Sequence, residues 1–179
     1  DTPLLSANAS RLSTFKTIEQ AISDAIISED EIADRASNEL FQIRRKMRAC
    51  NERVRERLNG MIHNPNFQKY LQDAIITMRA DRYVLPVRQE YRSMVPGIVH
   101  DQSSTGATVF IEPMSVVEIG NELKQLISAE KAEIEKILRT LSAQIAPEAD
   151  AIADNLAILA QLDFAFAKAS LAKQMDGCM

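Results

Sequence analysis

The sequence predicts a mainly α fold in which long antiparallel helices carry a small β insertion. Three observations predict it. Apolar residues recur at steps of three and four along two stretches of about 30 residues, and the β-branched and aromatic runs lie together between those stretches. Five glycines and six prolines in 179 residues are also few turn-formers for an all-β sandwich or a nucleotide-binding fold with glycine-rich loops. A composition of 46% hydrophobic and 26% charged residues is that of a globular domain, which excludes collagen-like, low-complexity and wholly disordered chains.

The first long stripe runs from Ser28-Glu29-Asp30-Glu31 through Ile32, Ala36, Leu40, Ile43, Met47, Cys50, Val54, Leu58 and Met61. Ser28 followed three residues later by Glu31 reads as a capping box, and Asn59-Gly60 as the stop, giving a helix of about 30 residues. Asn64-Pro65 is a second start signal, and Phe67, Leu71, Ala74, Ile75 and Met78 predict a shorter helix reaching about residue 78. Then Asp81-Arg82-Tyr83-Val84-Leu85-Pro86-Val87-Arg88 reads as a strand, bent or at an edge because Pro86 cannot donate to a ladder. Pro96-Gly97-Ile98-Val99-His100 and Ala107-Thr108-Val109-Phe110-Ile111, separated by Ser103-Ser104-Thr105-Gly106, read as a hairpin. This is the only region expected to be β. After Pro113 the helical period returns from Val116 to Ile145, and Pro147 ends it; a last helix over about 148–173 carries Ile152, Leu156, Leu159, Leu162 and Phe166 and is expected at the buried end. The expected organisation is therefore outgoing helices over 1–80, a β insertion over 81–113 and returning helices over 114–179. Short connections make the long helices antiparallel neighbours, and the pattern suggests a projecting arm.

Cys50 and Cys178 are far apart in sequence and, with His63 and His100, supply neither a disulfide framework nor a zinc-type cluster. No apolar run approaches the roughly 18 residues of a membrane span, and Asp1-Thr2-Pro3-Leu4-Leu5 lacks the pattern of a secretion signal. A reducing, cytoplasmic setting with no membrane partner is expected.

Charge is unevenly distributed. Residues 1–43 carry 3 basic and 8 acidic side chains, residues 44–92 carry 12 basic and 5 acidic, and residues 93–179 carry 6 basic and 12 acidic. A polyanion responds to local potential, so the net charge of −4 does not exclude a nucleic-acid partner. The basic run holds Arg44, Arg45, Lys46, Arg48, Arg53, Arg55 and Arg57, with Arg44, Arg48 and Arg55 on one flank of the apolar stripe and Lys46, Arg53 and Arg57 on the other. Guanidinium groups suit phosphate oxygens. The competing reading is a solvated helix surface whose cations pair with Glu130, Glu133 and Glu135 of the returning helix. Arg79, Arg82, Arg88 and Arg92 interleave with Tyr83 and Tyr91, a pattern that could grip a backbone and stack on bases, although the tyrosines could equally face the core. His100-Asp101-Gln102-Ser103 puts a histidine, an acid and a hydroxyl side by side, yet no strand-turn-helix elbow surrounds it, and a turn is the simpler reading. Neither the P-loop pattern nor Gly-x-Gly-x-x-Gly occurs, so no cradle for ATP or a dinucleotide is expected here. A nuclease site would need an acidic metal-binding cluster that the spacing does not offer.

Tyr70-Leu71-Gln72-Asp73, Asp81-Arg82-Tyr83-Val84-Leu85-Pro86-Val87 and the run from Pro96-Gly97-Ile98-Val99-His100-Asp101-Gln102-Ser103 to Ile111-Glu112-Pro113 closely resemble the bacterial MutS paralogue family of the endonuclease MutS-II type. Flanking segments agree, among them Glu39-Leu40, Asn121-Glu122-Leu123 and Leu162-Asp163-Phe164, so that only the first 27 or so residues are undistinctive. The resemblance implies the core, lever and clamp region, without the ATPase and Smr nuclease modules. It implies a homodimeric parent that uses ATP and Mg, a non-catalytic role for this segment with no cofactor of its own, and contact with branched or duplex DNA or with ribosomal RNA. The associated roles are suppression of recombination and rescue of stalled ribosomes. Arg44, Arg45, Lys46, Arg48, Arg53, Arg55, Arg57, Arg82, Arg88, Arg92 and His100 are the candidate nucleic-acid contacts. The alternative is a dimerisation or protein-interaction arm that touches no nucleic acid.

Overall fold

The computed structural model describes residues 3–175 and 177. The chain is mainly helical with a small antiparallel sheet, as expected. It divides into two compact units, one of residues 1–33 with 136–179 and the other of residues 34–135.

In the second unit, helix α3 (Asn38–Ile62) begins later than its apolar stripe suggests. Its cap is Ser37, whose hydroxyl accepts the Leu40 N–H at 3.0 Å. Ser28 and Glu31 instead flank the turn of a small hairpin, β1 (Ile26–Ser28) with β2 (Glu31–Ile32), in the first unit. The expected 30-residue helix is thus corrected to 25 residues, and the β insertion is not the only β structure. A stripe at helical spacing cannot exclude a hairpin upstream of the cap, because a few apolar residues fit either period.

The helix expected over 64–78 is one turn, α4 (Pro65–Gln68), with Asn64 capping it. The chain then extends. Leu71 bridges Val87, and β3 (Thr77–Arg79) pairs with β4 (Arg82–Arg88). Pairing with a strand distant in sequence outweighs local helical spacing here. With β5 (Gly97–Gln102) and β6 (Thr108–Pro113) these strands form an antiparallel sheet in the order β3-β4-β6-β5. Pro86 sits inside it opposite Phe110 without costing a ladder bond. The Gln72 N–H donates to the Pro86 carbonyl and the Arg88 N–H to the Tyr70 carbonyl. Residues 86 and 88 therefore direct their backbone groups away from β6, and the missing N–H lies on that side.

The β5–β6 turn closes as the sequence predicts, with Gly106 at φ 75° and the Gly106 N–H donating to the Ser103 carbonyl. The β3–β4 turn is unusual because its two central residues are Ala80 and Asp81, at φ 48° and 60°. Two-residue hairpins of this hand favour Asn-Gly. Changing Ala80→Asn with Asp81→Gly should raise stability by about 1–2 kcal/mol, read as a higher urea midpoint at unchanged slope. An unchanged midpoint would refute the strain.

Helix α5 (Met114–Ile145) follows β6 directly. Its first part runs antiparallel to α3: Ser115 Oγ donates to Met61 Sδ at 3.8 Å, Arg53 pairs with Glu122 at 3.3 Å and Arg44 with Glu130 at 2.7 Å. Between these helices and the sheet lies one apolar core. Cys50, Val54 and Leu58 of α3 and Val116, Ile119 and Leu123 of α5 meet Leu85, Val87, Val109 and Ile111, one face of the sheet by register. Alternation along each strand and three-four spacing along each helix thus converge on the same layer.

In the first unit, α1 (Pro3–Ala9), α2 (Lys16–Ala25) and the β1–β2 hairpin accompany the end of α5 and α6 (Ala149–Gln174). Asn155 ties α6 to the early chain, accepting from the Ser13 N–H at 2.9 Å and donating to the Ser13 carbonyl at 2.8 Å. The expectation that α6 is buried is corrected. Ile158 is its buried residue, whereas Leu156 is 70% and Phe164 64% exposed. The spacing of α6 is apolar on several sides, and α1 packs against it. Among the described residues no helix is long and apolar enough to cross a membrane. Cys178 lies outside the described residues, and Cys50 is a free, buried thiol.

Candidate nucleic-acid interface

The cations of α3 divide into two groups. Arg44 spends its guanidinium on Asp34 and Glu130, each at 2.7 Å. Arg48 reaches Asp34 at 3.2 Å, and Arg53 reaches Glu122. Glu130 and Glu122 belong to the returning helix, so part of the basic run does what the competing reading expects. The residues differ in detail: Glu133 is buried and accepts from Ser37 Oγ at 2.9 Å. The second group, Arg45, Lys46, Arg55 and Arg57, is exposed and forms no ion pair among the described residues. Glu52 and Glu56 stand among them, leaving four cations to two acids on that surface.

Electrostatics follow the geometry. The Arg44 hydrogen bond, helped by Arg48 and opposed by burial, holds the Asp34 carboxyl below the usual carboxylate range. Burial acts to lower Arg44, but its bonds to Asp34 and Glu130 outweigh it and raise the guanidinium. For a carboxyl depressed on folding, the stabilisation is complete above the unfolded value, near about 4, and is lost as pH falls through the lower folded value. Asp34→Asn should therefore destabilise at neutral pH, and its deficit against the parent chain should shrink below about pH 4. Urea titrations at a series of pH values would check this, and a deficit that does not change with pH would refute it. Burial, reinforced by Glu122, pushes the Cys50 thiol up, which makes it an inert core side chain.

The sheet places its cations differently from one another. Arg88, the last residue of β4, and Arg92, on the 3-10 turn Gln89–Met94 that follows it, are exposed and have no ion pair among the described residues. Arg79 pairs with Asp101 at 3.1 Å and lies 4.2 Å above the Phe110 ring. Arg82 and His100 turn inward to Glu112, whose side chain is only 2% exposed. Arg82 Nη2 donates to Glu112 Oε1 at 2.7 Å and Nε donates to Oε2 at 2.9 Å; Nη2 also reaches the Val117 carbonyl and Asn121 Oδ1. His100 Nε2 lies 2.7 Å from Glu112 Oε2. A β-bulge between Val99 and Asp101 inserts His100 as an extra residue, which aims its ring at this carboxylate. No sequence pattern announced this cluster, because its members come from three strands and a helix.

The tyrosines face inward too. Tyr83 donates its hydroxyl to Asn51 Oδ1 at 2.9 Å, and the Tyr70 and Tyr91 rings pack 5.4 Å apart against the core. In the His100-Asp101-Gln102-Ser103 run, Asp101 accepts the Gln102 N–H and Ser103 Oγ accepts the Thr108 N–H, both turn-forming roles. Among the described residues no three His, Cys, Asp or Glu side chains are grouped to hold a metal ion.

Fold and surface together define a mainly helical module: an antiparallel helix pair bearing a four-stranded sheet, with exposed cations on α3, at the end of β4 and on the turn after it. No family model matches the chain. It is 51% identical over 175 residues to Endonuclease MutS2 of Clostridioides difficile, covering 98% of this chain and 22% of that protein. It is 50% identical over 173 residues to Endonuclease MutS2 of Alkaliphilus oremlandii, and 50% over 174 residues to that of Pelotomaculum thermopropionicum, covering 97% of this chain each time. These matches show the MutS2 resemblance over nearly the whole chain, which corresponds to a segment of such a protein. The chain spans about a fifth of the length of these curated relatives.

Proposed function

We propose that this chain is the lever and clamp segment of a MutS2-type protein and binds DNA or ribosomal RNA through backbone phosphates. It makes no bond itself and passes motion between the nucleic acid and an ATPase elsewhere in a homodimeric, cytoplasmic parent. The observation that carries this reading is the set of exposed cations on α3, Arg45, Lys46, Arg55 and Arg57, which have no acidic partner among the described residues where Arg44, Arg48 and Arg53 do. Arg88 adds to it from the end of β4, and Arg92 from the 3-10 turn that follows. Contacts of this type read phosphate and not base, so sequence preference should be slight and affinity should fall steeply with salt. Fluorescence anisotropy with branched DNA, duplex DNA and ribosomal RNA over a range of salt tests it. Binding that is absent at low salt for all three, with the chain alone and as a dimer, refutes the reading.

One observation favours a second reading, an interaction arm without nucleic-acid contact: Arg44, Arg48 and Arg53 are engaged with Asp34, Glu130 and Glu122. That reading expects self-association or capture of another protein that ignores added nucleic acid.

A further inference from the structure

Glu112 is withdrawn from water and held by donors from two other strands, while the same guanidinium that holds it also bonds helix α5. An apolar pair of similar volume would fasten the sheet to the helix at least as firmly, because it carries no desolvation cost. What an ionic cluster adds is direction. The planar guanidinium satisfies its bonds to Glu112, the Val117 carbonyl and Asn121 in one orientation only.

Gly120 belongs to the same device. A Cβ at that position would stand 2.7 Å from Glu112 Oε1 and 2.9 Å from Arg82 Cζ, so the helix comes close to the ion pair only because residue 120 has no side chain. His100, inserted by the bulge, closes the carboxylate from β5. The cluster thus joins β4, β5, β6 and α5 through groups that are directional and have no partners to spare.

We propose that the Glu112–Arg82–His100 cluster, with Gly120 and Asn121, is an orienting joint: it locks the sheet to α5 in a single attitude, so that a rotation of α5 is delivered to the sheet, to Arg88 at the end of β4 and to Arg92 on the turn that follows it. Arg82, Glu112 and His100 are then positioning residues. The purpose of the joint rests on the function proposed above, but its existence can be measured without nucleic acid. Nitroxide labels placed at Gln125→Cys on α5 and Ser104→Cys on the β5–β6 turn, both exposed, with Cys178→Ser and the buried Cys50 left in place, report the attitude of the sheet against α5 by pulsed electron spin resonance.

The parent chain should give one narrow distance distribution. Arg82→Met with Glu112→Leu should keep its helix content and broaden the distribution about twofold, since apolar packing tolerates several attitudes. Asn121→Ala, at an exposed position, should broaden it less and serves as the deciding variant if the double substitution does not fold. Unbroadened distributions in the variants that fold, or a broad one in the parent chain, overturn the joint. A narrow parent distribution that broadens in the variants, in a chain that binds no nucleic acid, removes the proposed function and leaves the joint standing.

Discussion

Glu112→Ala is expected to cost about 3–5 kcal/mol, close to the whole stability of a marginal domain. The substitution removes little apolar area. What it does is leave the Arg82 guanidinium, 12% exposed, without its counter-ion beneath the sheet. The Val117 carbonyl and Asn121 remain as acceptors but carry no charge to offset the desolvated cation. Urea denaturation should show a large fall in midpoint, and Arg82→Met with Glu112→Leu should recover most of it, because neither charge is then buried. A Glu112→Ala chain within about 1 kcal/mol of the parent would mean that water reaches the guanidinium and that the cluster lies at the surface.

The second large effect concerns the exposed cations. Reversing Arg45, Lys46, Arg55 and Arg57 to Glu together should weaken nucleic-acid binding by about 100-fold or more at moderate salt and reduce the salt slope by about 3–4. Arg53 is left out deliberately: reversed, it would face Glu122 at ion-pair distance and disturb the α3–α5 seam, confusing a fold defect with lost contact. Circular dichroism and the self-association constant serve as controls. If affinity and slope are unchanged while self-association falls, the surface serves another protein and the interaction-arm reading replaces the first.

Several features were legible in the sequence for clear reasons. Helix α5 ends just before Pro147 because proline removes a donor and obstructs the preceding turn. The β5–β6 hairpin follows from alternating β-branched residues around a turn whose Gly106 accepts a positive φ. The shorter helix over 64–78 failed because Leu71 and Met78 satisfy an extended chain as well as a helix face, and Val87 and Tyr83 were waiting across the ladder. Ser28 resembled a cap as well as Ser37 does; only the bond from the Leu40 N–H distinguishes them.

What the chain determined by itself is therefore local and periodic: a helical class, two long amphipathic segments, one hairpin region and a basic stretch between acidic ones. The partner of each charge was a tertiary decision. Arg44, Arg45, Arg82 and Arg88 are chemically alike in the sequence, yet two of them are bound to acids 86 and 30 residues away and two face solvent. Backbone preferences act over a few residues, whereas an ion pair depends on which distant carboxylate the packed core brings within reach, and that is known only once the core has formed.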